Sequence, residues 1–510
     1  MNAPKSARLF AAVLGAALVL SACAPEPVSG WKPRQWSVSG TIVPAAAPPG
    51  PEQSPTVDMR LRNDEVGIDA RWAALPGTSP FNTAVEAVVR EAVTTQSRLS
   101  GHPYRPTAHE TGAGLGDRGC SPGATTAPAA DILGDRTGAV VVCEIVLARG
   151  SLFGERLRIV SAPTDGAATD TTTTIYTDVA TGEVATEAEL FTDVASLWPA
   201  YIDTLRRDAG SLSLVPVDVP TDAQLDVLRE ALLSSDLNAG ELVIPVPADL
   251  SAPELDGLAG WRERSPEHPS AVALSAARAA GALTPFAQAI TRAEGDFVGT
   301  PSAGAGFERI PCDLVPCMAL TLDDGPSTLT PQFLDVLRDE QSAATFFMLG
   351  QNAQQHPDTV RRVAAEGHQI GNHTWSHPYL TDLTDEQIED QLGRTAALLR
   401  TLSGQPVRTF RPPGGFVDAD VIEIAAEPAI LWSVDTRDWE KPADDDLARY
   451  AIERPAVSTI MLMHDIQAGS ARVFDRVVTG LRDRGFALVT VDALFGGKVP
   501  SGIVRYGPLG

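Results

Sequence analysis

Residues 318–337 read MALTLDDGPSTLTPQFLDVL. An unbroken apolar run ends in two neighbouring aspartates, Asp323 and Asp324, followed by a Gly-Pro turn. Phe333, Leu334 and Leu337 then recur at the spacing of one helix face. A strand without polar alternation is buried on both sides, the habit of parallel sheets covered by helices. The same alternation continues outward. CMALTL, ATFFMLG, HQIGNHT, RTFRPP, AILWSVDT, STIMLMHD and FALVTVDAL read as strands. TPQFLDVLRDE, TVRRVAAEG, TDEQIEDQLGRTAALLRTLSG and ARVFDRVVTGLRDRG read as the helices between them. This order predicts an α/β domain over residues 315–498, its sheet open or closed as a barrel. In such folds catalytic groups gather at the carboxyl ends of strands. Asp323, Asp324, Arg411, Asp435 and His464 all stand there.

Two carboxylates side by side at the end of a buried strand repel each other and lose hydration. A bound cation would make the pair tolerable. GNHTWSHP supplies His373 and His377, four residues apart, a spacing that aims both imidazoles at one point if the segment is a helical turn. One acid and two histidines leave coordination positions open, as catalytic metals require. Nitrogen and carboxylate donors suit Zn²⁺, with Co²⁺, Ni²⁺ or Fe²⁺ as other occupants. The second carboxylate is then free to act as a base.

The rest of the chain sets the context. Its 510 residues suggest about three domains. At 44% hydrophobic and 21% charged it has apolar residues enough for large cores. A formal charge of −25 argues against electrostatic binding of nucleic acid or of anionic membrane surfaces. The N-terminus, MNAPKSARLFAAVLGAALVLSACAPEP, has Lys5 and Arg8 before an apolar stretch too short to span a bilayer comfortably. It ends in Leu-Ser-Ala-Cys, which resembles the bacterial lipobox. The expectation is a signal peptide over 1–22, lipid on Cys23, a Pro- and Ala-rich tether over 23–60, and export to the outer face of the cell membrane. Four further cysteines allow three pairings, of which Cys120–Cys143 with Cys312–Cys317 is the most local.

Residues 61–295 read as an α+β region. PFNTAVEAVVREAVTTQSRL and SLWPAYIDTLRRDAG are helical, and AVVVCEIVLA and ERLRIVSA are strands. TTTTIYTDVATGEVATEAELF reads as a strand, a turn at Thr181-Gly182 and a helix start. Its histidines, His102, His109 and His268, are scattered and form no cluster. IYTDVATGEVATEAELFTDVASLWPAYIDTL faintly resembles wall-associated modules found beside sugar deacetylases and in lysozyme-sensing anti-sigma factors, which implies binding or positioning.

TLDDGP, HTWSH, RPPGG, DTRDW and LMH, in this order, resemble the five motifs of the polysaccharide deacetylase domain (NodB homology, carbohydrate esterase family 4). The resemblance spans roughly 315–495 and implies a distorted (β/α) barrel. It assigns Asp323 as general base and Asp324, His373 and His377 as metal ligands. Arg411 would orient Asp323, and His464 would be the general acid, held by Asp438. Asp438 and Trp439 would wall the groove, Leu462 would line the acetyl pocket, and the Pro413-Gly414 turn would offer a backbone N–H to the oxyanion. The family often has an aromatic residue where Gly414 stands, which implies a lost wall and a wider groove suited to a branched polymer. The implied reaction is N-deacetylation of N-acetylglucosamine in an envelope polysaccharide, above all peptidoglycan. N-acetylmuramic acid, chitooligosaccharides, an exopolysaccharide and O-acetylated xylan are the competing substrates. A reading of another class is a wall-binding or lysozyme-sensing lipoprotein, and a more remote one is metal storage or transport.

Overall fold

The structure, a computed structural model, describes residues 40–44, 56–77, 79–162, 168–238, 240–262, 269–299 and 310–508. The signal segment, Cys23, most of the expected tether and His268 lie outside the described residues. Strand β1 (Thr41–Pro44) falls within the stretch expected to be tether, and β2 (Val57–Asn63) begins before that stretch ends. Strands β3 (Ile68–Ala74), β4 (Gly138–Arg149), β5 (Leu152–Ala162), β6 (Thr169–Asp178) and β7 (Glu183–Thr186) join β2 in a six-stranded sheet in chain order. Neighbours run antiparallel except β3 and β4. Strands β8 (Asp236–Asn238), β9 (Glu241–Pro245) and β10 (Ser270–Ser275) complete an antiparallel sheet of order β1-β10-β9-β8. The helix Pro80–Ser100 starts on the Ser79 side chain, which accepts from Asn82 N–H, and stops at Gly101 in the left-handed conformation. It buries Phe81, Val85, Val89 and Val93. The expected helix start after Gly182 is instead β7 followed by a 3₁₀ turn, Glu187–Leu190. Gly182, at φ 77°, closes a tight hairpin that commits the chain to pairing with β6 first. Both disulfides of the most local pairing, Cys120–Cys143 and Cys312–Cys317, are formed.

The C-terminal half is built on strands β11 (Cys317–Asp323), β12 (Thr345–Met348), β13 (Gln369–Asn372), β14 (Ala429–Ile430), β15 (Val434–Asp435), β16 (Ile460–His464), β17 (Ala487–Val489) and β18 (Ile503–Val504). A parallel sheet runs β13-β12-β11-β16-β15, with β17 beside the start of β11, and β14 pairs with β18. RTFRPP yields a single bridging residue rather than a strand: Phe410 pairs with Asn372 on one side and Ala429 on the other. Two prolines follow at 412 and 413, and neither can donate to a ladder.

Period-2 alternation along β11 sorts the two faces. Met318, Leu320 and Leu322 pack against the outer helices with Phe333, Leu337, Phe474 and Leu481. Cys317 and Ala319 face the other way, in one cluster with Phe347, Ile430, Ile460 and Val489. Thr321 and Asp323 continue that inner row toward the carboxyl end, so the strand delivers Asp323 to the inner mouth of the sheet. Val57, Trp72, Phe81 and Val85 of the N-terminal half belong to the same buried cluster as Leu314, Val315 and Ala319. The two halves therefore share apolar core. A strap before Cys120 reinforces this. Gly112 and Gly114 N–H both donate to the Asp483 carboxylate at 2.9 Å. Buried Arg118 donates to the carbonyls of Arg482 and Phe486 at 2.9 and 2.8 Å.

Candidate metal and acid–base site

The register of β11 with β16 sets Asp323 directly beside His464. The next residue, Asp324, leaves the strand at φ 71°, a conformation a non-glycine residue adopts at a cost of about 1–3 kcal/mol and keeps where its surroundings enforce it. Here Asn352 donates to the Asp324 carbonyl at 2.7 Å, and Leu349 N–H donates to that of Gly325 at 3.0 Å. Gly325 itself is dictated by contact: a Cβ there would lie 2.2 Å from Oδ2 of buried Asp465. Reversing at Asp324 points its carboxylate at the histidines.

His373 follows β13, and His377 sits one loop further on. The expected helical turn is absent. Thr374 and His377 have φ of 69° and 66°, and the Asn372 and Thr374 side chains accept from Thr374 and His377 N–H at 2.9 and 3.1 Å. The loop nonetheless brings the rings to 5.1 Å between centroids. Nε2 of His373 and of His377 lie 3.4 and 3.5 Å from Asp324 Oδ1, a buried oxygen without a hydrogen-bond partner. His373 Nδ1 is 2.7 Å from the Arg411 carbonyl. That contact protonates Nδ1 and leaves Nε2 as the inward donor. An orphaned carboxylate oxygen facing two imidazole nitrogens fits a divalent cation. Burial pushes the Asp324 carboxyl up, but the imidazoles of His373, His377 and His464 outweigh it and hold it at about 2.

Asp323 keeps its other face to Arg411, whose Nη1 donates to Asp323 Oδ1 and to Thr321 Oγ1, both at 2.7 Å. Arg411 is wholly buried, lies over the Phe347 ring at 4.2 Å, and donates through Nε to the Ile430 carbonyl at 2.8 Å. Such a charge-assisted bond fixes the orientation of the carboxylate. Asp323 Oδ2 is left facing the site, 3.7 Å from His373 Nε2. On the neighbouring strand His464 Nδ1 lies 2.7 Å from Asp438 Oδ1, and Nε2 points inward, 4.0 Å from Asp324 Oδ2. Burial works against a charge on His464, yet the bond and charge of Asp438 outweigh it, and Asp323 and Asp324 add to them, raising the imidazole to about 9. Asp438 is buried and also receives His464 N–H at 2.8 Å and the Ser470 hydroxyl.

The other expected positions fall nearby in sequence with different exposures. Leu462 and Pro413 are buried, while Gly414 and Trp439 are open to solvent. Asp435 adds its charge near Arg411 without a hydrogen bond to it. It accepts from Arg437 N–H at 2.8 Å and so supports the turn that carries Asp438. Thr321 and Ser470, which bond to Arg411 and Asp438, escaped the sequence reading because their partners come from distant segments. Tyr379 and Phe416 each stand two residues beyond a motif position, His377 and Gly414.

An α/β domain that turns one carboxylate and two imidazoles to a single point, with a second carboxylate and a third imidazole on adjoining strands, has the layout of a metal-assisted hydrolytic site. Residues 312–430 match the family model described as polysaccharide deacetylase. A peptidoglycan-N-acetylglucosamine deacetylase, PgdA, of Listeria monocytogenes is 39% identical over 36% of this chain and 40% of its own length. A peptidoglycan-N-acetylglucosamine deacetylase of Bacillus cereus is 35% identical over 35% of this chain and 87% of its own. A chitooligosaccharide deacetylase of Azorhizobium caulinodans is 34% identical over 33% of this chain and 90% of its own. The chain belongs to the polysaccharide deacetylase family. It spans 40% of the length of the Listeria relative, and the similarity resides in the C-terminal half.

Proposed function

We propose that the protein hydrolyses the N-acetyl groups of N-acetylglucosamine residues in an envelope polysaccharide, peptidoglycan before others, releasing acetate. The observation that carries this reading is the pairing of Asp323 with His464 on adjacent strands, each within 4.0 Å of the Asp324–His373–His377 donor set. The relatives named for peptidoglycan support the choice of polymer. Asp324, His373 and His377 would hold a divalent cation, zinc first among them. When bound it supplies Lewis acidity toward the carbonyl oxygen and the attacking water. Asp323, fixed by Arg411, takes the proton of that water through Oδ2. A backbone N–H of the Pro413-Gly414 turn faces the oxyanion, and Leu462 lines the space for the acetyl methyl. His464, kept protonated by Asp438, donates from Nε2 to the departing sugar nitrogen, which is a poor leaving group without that proton. The distorted barrel implied by the family fits the bridges through Phe410, and export with a lipid on Cys23 fits a substrate outside the membrane.

Mass spectrometry of muropeptides before and after treatment, with and without chelator, tests the reaction. Deacetylated glucosamine that appears without chelator and is lost with it is the expected outcome. Acetate released from acetylxylan or chitooligosaccharides, with muropeptides untouched, would reassign the substrate. Asp323→Asn is expected to retain metal stoichiometry and lose about 10²-fold or more in turnover. Turnover near wild type in that variant would remove Asp323 from the base role.

A further inference from the structure

The rim of the site carries an aromatic surface that neither the donor set nor the acid–base pair uses. Tyr379 and Phe416 come from different loops, one just past His377 and the other just past the Pro413-Gly414 turn. Their ring centroids are 4.8 Å apart, with planes inclined by 57°. Each stays about half open to solvent, at 48% and 52% exposure. Water contact on two adjoining rings wastes apolar area that either could bury, and such exposed patches mark places where something else docks.

Gly414 explains how the rings come together. It has φ +64°, and a Cβ there would lie 2.9 Å from Tyr379 Cε1 and 2.9 Å from Phe416 Cδ2. Any side chain at 414 would hold the rings apart and strain the backbone, so glycine is the residue that lets them close over the turn. Position 414 itself carries no side-chain wall, and the rings of Tyr379 and Phe416 meet beside it. We propose that Tyr379 and Phe416 form a stacking platform for a pyranose ring of the N-acetylated glycan, the sugar next to the one being deacetylated. The C–H face of a pyranose is apolar and flat enough to lie on an aromatic ring. The platform adjoins Gly414, whose turn borders the reacting acetyl group, which is what selects a neighbouring sugar as the occupant. This rests on the deacetylase reading above.

The test uses the full chain with metal removed by chelator and calorimetric titration with an N-acetylglucosamine tetramer. Two rings at this contact predict a loss of about tenfold to a hundredfold in affinity for Tyr379→Ala/Phe416→Ala. Tyr379→Phe and Phe416→Trp should bind as wild type. With metal restored, the double variant should show a raised KM on the tetramer, an unchanged kcat, and unchanged hydrolysis of a small aryl acetate that has no second sugar. A folded double variant that binds the tetramer as tightly as wild type overturns the platform, and so does one that loses aryl acetate hydrolysis in step with tetramer hydrolysis. If the wild-type protein releases acetate from no N-acetylated glycan, the deacetylase reading fails and the platform falls with it.

Discussion

At the scale of single residues, the pair His464–Asp438 makes a statement about pH. The general acid works only while protonated, so activity persists below the folded pKa of His464 and is lost as pH rises through it. Burial alone would depress that pKa, and the Asp438 carboxylate 2.7 Å away reverses the direction. Asp438→Asn removes the charge and keeps the shape. Its alkaline limb in a kcat/KM profile should move to lower pH by about one unit or more. An alkaline limb that stays in place would show that another group donates the proton. Residues of this kind were readable in advance because motif chemistry is local: an acid pair, spaced histidines, and a histidine closing an apolar strand. What was not readable is the support beneath them. Ser470 and Thr321 are ordinary hydroxyl residues in sequence, and only the fold brings them to Asp438 and Arg411.

At the scale of elements, His373 and His377 converge as their spacing suggests, but not by the helical turn that spacing implies. An i, i+4 pair suggests a helical turn, whereas His373 directly follows a strand and His377 sits in a loop with two left-handed residues. Nothing in Thr374 or His377 announces that conformation; it is imposed by the Asn372 and Thr374 side chains and by strand β13 behind them. The strand is itself placed by a contact at Gly371, where a Cβ would stand 2.3 Å from the Phe347 ring. Phe347 is the ring beneath Arg411, so there is no slack on its far side. Gly371→Ala should therefore push β13 away from β12 and cost about 1–3 kcal/mol in stability, as overpacked cores do. Because His373 lies two residues on, metal affinity should fall as well. Thermal unfolding and a competitive metal titration read the two effects separately. Wild-type affinity combined with a lowered melting temperature would mean that the donor loop is held independently of the strand.

At the scale of the whole molecule, the chain's length and changing pattern suggested a catalytic domain preceded by a separate region, and the alternation of strands and helices did locate the catalytic half. That pattern carries no information about which outer surfaces are covered, because a residue facing a second sheet and one facing a helix are both apolar. In the structure Leu314, Val315 and Ala319 share a core with Val57, Trp72 and Phe81. The turn after the helix Ala468–Asp483 is clasped by the strap through Asp483 and Arg118. Tyr104 adds a hydrogen bond to the Leu314 carbonyl, and Arg90 pairs with Asp313. Removing the N-terminal half would expose the shared apolar surface and leave the carbonyls of Arg482 and Phe486 without their buried donor. Apolar surface returned to water costs about 25 cal/mol per Å², and domains have only about 5–15 kcal/mol to lose. A fragment of residues 310–508 is therefore expected to melt well below the full chain and to bind a hydrophobic dye, even though it contains every donor, acid and base of the site. A fragment that stays monomeric, excludes the dye and melts at the full-chain temperature would show that the strap and shared core are incidental, and that the N-terminal half is cargo rather than part of the catalytic body.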